Sequence, residues 1–208
     1  MIKDGTLLKR GAESELYLIN WYGNNAISKI RIRKDYRHPS IDIPLRKQRT
    51  IHEANILSQV KLLGINAPFI YYLDISNFEI VMEFIQGKTL RDVFSPRYCN
   101  VVGKMIGALH LNNVIHGDIT TSNFIVSHNG VISLIDFGLS FISERYEDKA
   151  ADIRLFKEIL NSIHVEVFEE SYENFCNGYT QKYSKVASTI FKIVSDIEKR
   201  GRYSRSAL

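Results

Sequence analysis

The stretch that decides the fold is His116-Gly117-Asp118-Ile119-Thr120-Thr121-Ser122-Asn123, and Asp136-Phe137-Gly138 begins thirteen residues after Asn123. Phosphoryl transfer needs a carboxylate that orients the attacking hydroxyl or water, and it needs an amide oxygen and a second carboxylate to hold magnesium on the phosphates. Asp118, Asn123 and Asp136 supply these groups in this order. Taken singly, Asp118 could cap a turn and Asp136 could begin an ordinary loop. The combination and its spacing favour a magnesium-dependent phosphoryl-transfer site.

The segment between these two motifs predicts a β-hairpin. Two apolar runs, Asn123–Ser127 and Val131–Ile135, flank His128-Asn129-Gly130. Asn-Gly between apolar runs is a strong hairpin signal. A hairpin that ends at Asp136 would bring the three polar side chains to one cleft.

The residues before this region predict a strand-rich half with one long helix. Pro44 is a suitable first-turn residue, and Gly64 suits the C-terminal cap of that helix. The predicted strands are Thr6–Arg10, Ser14–Asn20, Ala26–Arg33, Phe69–Asp74 and Phe78–Phe84. A helix over about Tyr98–Asn113 and mostly helical periodicity from Lys149 to Arg200 follow. The order predicts an α+β, bilobal fold of a single domain, with a β-rich N-lobe at about 1–82, a hinge at about 83–87, a mostly helical C-lobe at about 88–198 and a basic tail at about 199–208.

Lys29 lies in a strand pattern and is a candidate phosphate-binding lysine. Such a lysine needs a carboxylate to hold it, and Glu53 on the following helix is the natural partner. Lys34 and Glu13 are nearby alternatives, and a surface position is the commoner fate of a lysine. The turn Gly11-Ala12-Glu13-Ser14 stands where a phosphate-covering loop is expected, and the strand end Glu83-Phe84-Ile85 stands where a hinge would meet adenine.

Composition restricts the class of protein. The chain has 208 residues, of which 45% are hydrophobic, and its formal net charge is +4. These values favour a globular protein, and no apolar run approaches the roughly 20 residues of a membrane span. Cys99 and Cys176 have no metal-like spacing, so we expect a reducing, cytoplasmic setting. Residues 29–49 carry eight Lys or Arg against two Asp, which suggests an anionic partner or a solvated basic surface.

Together these residues resemble the protein-kinase superfamily and, more closely, the family of the small atypical kinase subunit of the archaeal and eukaryotic KEOPS complex. The resemblance covers nearly the whole chain. Its most specific stretches are Gly11-Ala12-Glu13, Tyr36-Arg37-His38-Pro39 with Ile41-Asp42, Leu45–Thr50 leading to Glu53-Ala54, His116-Gly117-Asp118 with Thr120-Thr121 and Asn123, Asp148-Lys149-Ala150 with Asp152, and Arg200-Gly201-Arg202.

The resemblance implies a set of roles. Lys29 would bind phosphate, Glu53 would pair with it, and Asp118 would be the catalytic aspartate, while Asn123 and Asp136 would hold Mg²⁺. It further implies ATP hydrolysis and serine/threonine kinase activity, including autophosphorylation. The implied partner is a threonylcarbamoyl-transferring enzyme that modifies adenosine 37 of ANN-decoding tRNAs, with other KEOPS subunits and with tRNA reached indirectly or through the basic tail.

Departures from ordinary protein kinases leave rival interpretations open. One glycine remains of the glycine-rich loop, Gly117 replaces the usual arginine, and Thr120 stands where many protein kinases place lysine. The segment between Gly138 and Lys149 has no room for a long activation segment, so a peptide would have little platform on which to dock. The rivals are a RIO-type kinase, a small-molecule kinase of the aminoglycoside or choline type, and a non-catalytic scaffold.

Overall fold

The computed structural model describes the backbone of residues 5–205 and the side chains of residues 5–200. The chain forms two compact units. The first contains the residues up to Gln86 together with Ser133–Gly138, and the second contains Gly87–Ile132 and the residues from Leu139 onward. Asp136 therefore belongs to the same unit as Lys29 and Glu53.

The first unit is an antiparallel five-stranded sheet with one long helix. Its strands are β1 (Thr6–Arg10), β2 (Ser14–Trp21), β3 (Asn24–Arg31), β4 (Ile70–Asp74) and β5 (Glu79–Glu83), in the spatial order β1-β2-β3-β5-β4. In the register of the sheet, Lys29 faces Leu16 on one side and Ile80 on the other. Lys29 thus lies on an inner strand, where neighbours on both sides fix its backbone.

The helix of the first unit, α1, spans Pro39–Leu62 and buries Ala54, Ile56, Leu57 and Val60. The prediction that Pro44 opens this helix is wrong by five residues. His38 is the N-cap, and its ring nitrogen Nδ1 accepts a hydrogen bond from the backbone N–H of Ser40. Pro44 lies in the second turn and leaves only one early carbonyl without its helical donor. The predicted C-terminal cap is confirmed, because Gly64 follows the helix with φ +75°.

The second unit is mainly helical. Its helices are α2 (Pro96–Leu111), α3 (Tyr146–Ile163), α4 (Phe168–Lys182) and α5 (Ser184–Arg205). Glycines let α2 and α4 approach closely: a Cβ atom on Gly178 would lie 1.9 Å from the carbonyl oxygen of Asn100, and one on Gly103 would lie 2.1 Å from that of Phe175. The two helices are therefore tightly packed against each other.

Short strands complete the chain. They are β6 (Lys88–Thr89), β7 (Val114–Ile115), β8 (Phe124–Val126), β9 (Ile132–Leu134) and β10 (Phe141–Ile142). In the second unit, β6 pairs with β8 and β7 pairs with β10, both antiparallel. The turn before β9 is closed by a hydrogen bond from the Ser127 N–H to the Val131 carbonyl, and Gly130 has φ +79°, as the Asn-Gly signal predicts.

The C-terminal region differs from the predicted tail. Helix α5 continues through Arg205, so residues 199–205 extend the helix. The side chains of Arg202, Ser204 and Arg205 and all of Ser206–Leu208 lie outside the described residues. Within residues 5–205, no helix combines the length and the apolar composition of a membrane span.

Candidate active site

Lys29 is held by two carboxylates in the first unit. Its Nζ lies 2.6 Å from Oε1 of Glu53 and 2.8 Å from Oδ1 of Asp136. The Lys29 and Glu53 side chains are only 6% and 3% exposed, whereas that of Asp136 is 44% exposed. Burial works to lower the pKa of Lys29, but the charges of Glu53 and Asp136 outweigh it and raise the pKa above its usual range. The lysine is therefore a fixed cation beside a carboxylate that solvent can reach.

Asp136 adopts a backbone conformation that is unusual for a residue other than glycine. Its φ is +65°, in the left-handed region where Asp and Asn are tolerated better than most residues. The same oxygen that contacts Lys29 accepts a hydrogen bond from the Gly138 N–H at 3.3 Å. The Asp-Phe-Gly turn thus orients its carboxylate by both backbone and side-chain contacts.

The turn Gly11-Ala12-Glu13-Ser14 connects β1 to β2 in the same unit. Gly11 N–H donates to the Ser14 carbonyl at 2.8 Å, which closes the turn. The Lys34 ammonium contacts the Ala12 carbonyl, and Arg49 contacts the Glu13 carboxylate. Side chains of the first unit therefore already bind the loop predicted to cover phosphate.

The predicted hinge begins where β5 ends. The Glu83 N–H donates to the Phe69 carbonyl at 2.7 Å, and Oε2 of Glu83 accepts from the Phe69 N–H at 3.1 Å. Phe84 and Ile85 follow in an extended segment without regular secondary structure and are partly exposed. Their contact with adenine stays a prediction.

The second unit holds Asp118 and Asn123 against each other. The Asn123 side-chain amide donates through Nδ2 to the backbone oxygen of Asp118 at 2.8 Å and to its carboxylate at 2.9 Å. A single 3-10 turn, Thr121–Asn123, places the two residues this close. Because Nδ2 faces Asp118, the amide oxygen of Asn123 is the atom left to ligate a cation.

Comparison of the sequence with known proteins identifies the family of the chain. The protein kinase domain model matches residues 10–155. That range contains the candidate site residues Lys29, Glu53, Asp118, Asn123 and Asp136. The KEOPS complex subunit Bud32 of Pyrococcus abyssi is 38% identical in an alignment of 211 positions that covers 95% of this chain and 96% of that protein. The chain belongs to the Bud32-like protein kinase family.

Other relatives of this Bud32-like chain are longer proteins. The probable bifunctional tRNA threonylcarbamoyladenosine biosynthesis proteins of Methanobrevibacter smithii and Methanocaldococcus jannaschii are 39% and 40% identical to it. Each match covers 95% of this chain and 37% of the relative. The chain thus spans little more than a third of the length of these two relatives.

Two residues that contact the candidate site residues or their loop have no role predicted from the sequence. Arg31 lies two residues after Lys29 on β3, and its Nη2 lies 2.5 Å from Oε2 of Glu53. Asp152 of α3 accepts hydrogen bonds at 2.8 Å from the backbone N–H groups of His116 and Gly117. Strand alternation could have indicated Arg31, because residues i and i+2 share a face. Asp152 carries no such local signal.

Each unit offers an oxygen atom of the kind that Mg²⁺ prefers, and the role of these atoms in metal binding stays a prediction. Asp136 offers a partly exposed carboxylate in the first unit, and Asn123 offers an amide oxygen in the second. Among the described residues, no three His, Cys, Asp or Glu side chains converge as a protein-only metal site would require. Mg²⁺ shared with phosphates needs only one or two protein carboxylates.

Proposed function

We propose that this chain is an ATP- and Mg²⁺-dependent atypical serine/threonine kinase and ATPase that supports threonylcarbamoyl modification of adenosine 37 in tRNA as a KEOPS subunit. The observation that carries the proposal is the contact of Lys29 with both Glu53 and Asp136. Burial of a lysine ammonium is unfavourable unless it is paired with an opposite charge. The burial of Lys29 between two carboxylates therefore argues against an ordinary surface lysine. In a protein kinase domain this arrangement is the one that serves nucleotide phosphates.

Each polar residue then has a role that its surroundings support. Lys29 binds α- and β-phosphate oxygens, and Glu53 keeps its ammonium in place. Asn123 and Asp136 hold Mg²⁺, which neutralises phosphate charge when bound. Asp118 orients the acceptor hydroxyl or water and accepts its proton, while the Asn123 amide fixes the Asp118 carboxylate. Gly11, Ala12, Glu13 and Ser14 cover the phosphates, and the backbone of Glu83, Phe84 and Ile85 contacts adenine.

The partner is proposed from the names of the relatives. One is a KEOPS subunit of nearly the same length, and the longer ones are named bifunctional proteins of tRNA threonylcarbamoyladenosine biosynthesis. We therefore propose a threonylcarbamoyl-transferring enzyme as the partner that this chain supports, with other KEOPS subunits beside it and tRNA within reach of the basic end of α5. The cytoplasmic setting expected from two unpaired thiols stays a prediction.

The short segment after Asp136 bears on the acceptor. Only seven residues separate Gly138 from Tyr146, where α3 begins, and two of them form β10. A docking platform for a peptide is therefore small, which supports water or the protein itself as the acceptor of the phosphoryl group.

The experiment is ATP turnover by the purified chain, alone and with the threonylcarbamoyl-transferring enzyme and tRNA of the same organism. We expect turnover that needs Mg²⁺, disappears on chelation and rises with the partner. A matched control is Arg154→Gln, which removes an exposed ion pair with Glu158 on α3 and should leave turnover unchanged. Turnover that is absent with Mg²⁺ and partner present would contradict an enzymatic role and leave the scaffold interpretation.

A further inference from the structure

The Glu53 carboxylate binds two buried cations, one with each oxygen. Oε1 receives Lys29, and Oε2 receives Nη2 of Arg31 at 2.5 Å. Arg31 is only 5% exposed. Both cations extend from the same face of β3, since they are two positions apart in a strand. Glu53 is thus fixed in orientation by two contacts rather than one.

Arg31 also reaches the turn between β1 and β2. Its Nη1 lies 3.5 Å from Oε2 of Glu13, whose carboxylate is further contacted by Arg49 and, at 3.8 Å, by Arg37. Burial works to raise the pKa of Glu13, but the hydrogen bond and charge of Arg49 outweigh it, and the charges of Arg31 and Arg37 add to this, so the pKa is lowered. Glu13 is therefore an anion committed to protein cations. If the Glu13 carboxylate pointed at a phosphate group instead, the two negative charges would repel each other. Its contacts with the three arginines avoid that repulsion.

The contacts of Arg31 favour a role in geometry over a role in stability. A buried ion pair is weak evidence for stability, because desolvation offsets much of the attraction. Nε of Arg31 is buried without a hydrogen-bond partner among the described residues, which adds to that cost. What the guanidinium provides is a planar fork that can bind two carboxylates at once, which a lysine ammonium at this site would do poorly.

We infer that Arg31 is a positioning residue that acts through Glu53, and that Glu13 joins the Gly11–Ser14 turn to the same guanidinium of Arg31. The inference rests on the proposed function. In the proposed function, Arg31 prevents the Glu53 carboxylate from rotating. The Lys29 ammonium therefore stays in the position where it would bind phosphate. A misplacement of about 1 Å at a catalytic group can lower turnover about 10²-fold, so a residue that touches no substrate can still limit the rate.

The experiment compares ATP turnover and Mg-ATP affinity for the wild-type chain and for Arg31→Gln, Arg31→Lys, Glu53→Gln and the double variant Arg31→Gln/Glu53→Gln. The matched control is Arg10→Gln, which removes an exposed ion pair with Glu15 on the same sheet. We expect Arg31→Gln to lower kcat about 10-fold or more while the affinity changes about threefold or less. Arg31→Lys should recover only part of the loss.

The decisive result is the double variant. If Arg31 acts through Glu53, the double variant should be no slower than Glu53→Gln alone, because the second change removes an interaction that is already lost. Losses that multiply, or an Arg31→Gln variant as active as Arg10→Gln, would overturn the inference. If the wild-type chain and Arg10→Gln both lacked turnover, the proposed function would fail instead. The Glu13 link would then still be tested by thermal unfolding, where additive effects of Glu13→Gln and Arg31→Gln would refute it.

Discussion

The carboxylate of Asp152 accepts the backbone N–H of Gly117 at 2.8 Å, so a side chain of α3 fixes the loop that carries Asp118. Gly117 has φ +80°, and a Cβ atom there would lie 2.5 Å from the carbonyl oxygen of Leu139. The glycine that replaces the usual kinase arginine is thus required by the backbone. Both its conformation and its neighbour exclude a side chain.

We expect Gly117→Ala to destabilise the chain more than Gly130→Ala does. Gly130 has nearly the same φ, +79°, but nothing lies within 4 Å of its added Cβ. The shared left-handed conformation costs about 1–2 kcal/mol in each variant. The contact with Leu139 should add about 1–3 kcal/mol at Gly117 alone. Urea unfolding of both variants measures the difference, and equal losses would show that the close contact relaxes freely.

We expect Asp136→Asn to abolish Mg²⁺-dependent turnover with little change in fold. Asparagine tolerates the left-handed φ of Asp136, whereas alanine would add strain of about 1–2 kcal/mol, so asparagine is the cleaner test. Loss of the metal carboxylate should lower turnover about 10²-fold or more, since it removes several kcal/mol of charge stabilisation. Steady-state kinetics and a thermal melt measure the two effects. An Asp136→Asn chain with wild-type turnover would remove Asp136 from the metal site.

We expect Asp118→Asn to lower turnover while nucleotide affinity stays within a few-fold. Asn123 can still donate to the amide oxygen at position 118, so the local shape should persist. Proton acceptance is lost, and such losses are typically about 10²-fold or more. Kinetics and isothermal titration with Mg-ATP measure the two quantities. If affinity falls together with turnover, Asp118 binds the nucleotide, and its role as acceptor base is wrong.

His110 should make the stability of the chain depend on pH. The ring is fully buried, with Nε2 3.3 Å from Asp152 and Nδ1 3.0 Å from the Tyr179 hydroxyl. Burial lowers the pKa of His110 below its usual 6.5, although Asp152 acts in the opposite direction. The unfolded chain therefore takes up a proton that the folded chain excludes. The free energy of unfolding should fall as pH falls below about 6.5, by up to about 1.4 kcal/mol per pH unit.

His110→Gln should flatten this slope, and His128→Gln, in an exposed turn, should not. Urea unfolding between about pH 6.5 and pH 5 measures it, a window set by the direction of the pKa shift. If the free energy of unfolding depended on pH equally in wild type and in His110→Gln, His110 would not be the group that takes up the proton on unfolding.

We expect removal of residues 201–208 to spare nucleotide binding and to weaken tRNA association. Cutting after Arg200 keeps the contact of Lys157 with Glu198 at 2.9 Å, which joins α5 to α3. Loss of Arg202 and Arg205 should reduce the salt dependence of tRNA binding by roughly 1.4–1.8 in the log–log slope. Filter binding over a KCl series measures it. The charge-preserving variant Arg202→Lys/Arg205→Lys is the control. A truncated chain with an unchanged slope would show that the end of α5 makes no phosphate contacts with tRNA.

The strands could be predicted from the sequence because residues typical of turns separate them. β1 was predicted with both its ends correct, and Gly11 and Gly23 mark the turns on either side of β2. The start of α1 could not be predicted in this way. Pro44 is typical of a first turn, but the N-cap of the helix is His38. Proline is best tolerated in the first turn of a helix, but Pro44 lies in the second turn of α1, so the presence of a proline does not by itself locate the N-terminus of a helix.

Order along the chain predicts a carboxylate on the helix after Lys29, and Glu53 of that helix does contact the lysine. The spacing of Asp118, Asn123 and Asp136 predicts that these three side chains serve one site, and that stays a prediction. Their catalytic roles stay predictions. The hydrogen bonds of Asp152 join residues 35 and 36 positions apart, and only the packing of α3 brings them together. A single sequence holds no local signal of such a contact.

The closed ion pair of Lys29 and Glu53 bears on how the protein is controlled. Many protein kinases wait for a phosphate on a long loop before this pair forms. Here Lys29 and Glu53 are in contact, and the segment after Gly138 is too short to act as such a latch, since only seven residues separate Gly138 from Tyr146, where α3 begins. We therefore expect that the site needs no activation step to form this ion pair. Activity would instead depend on when a partner binds and on which hydroxyl group it presents.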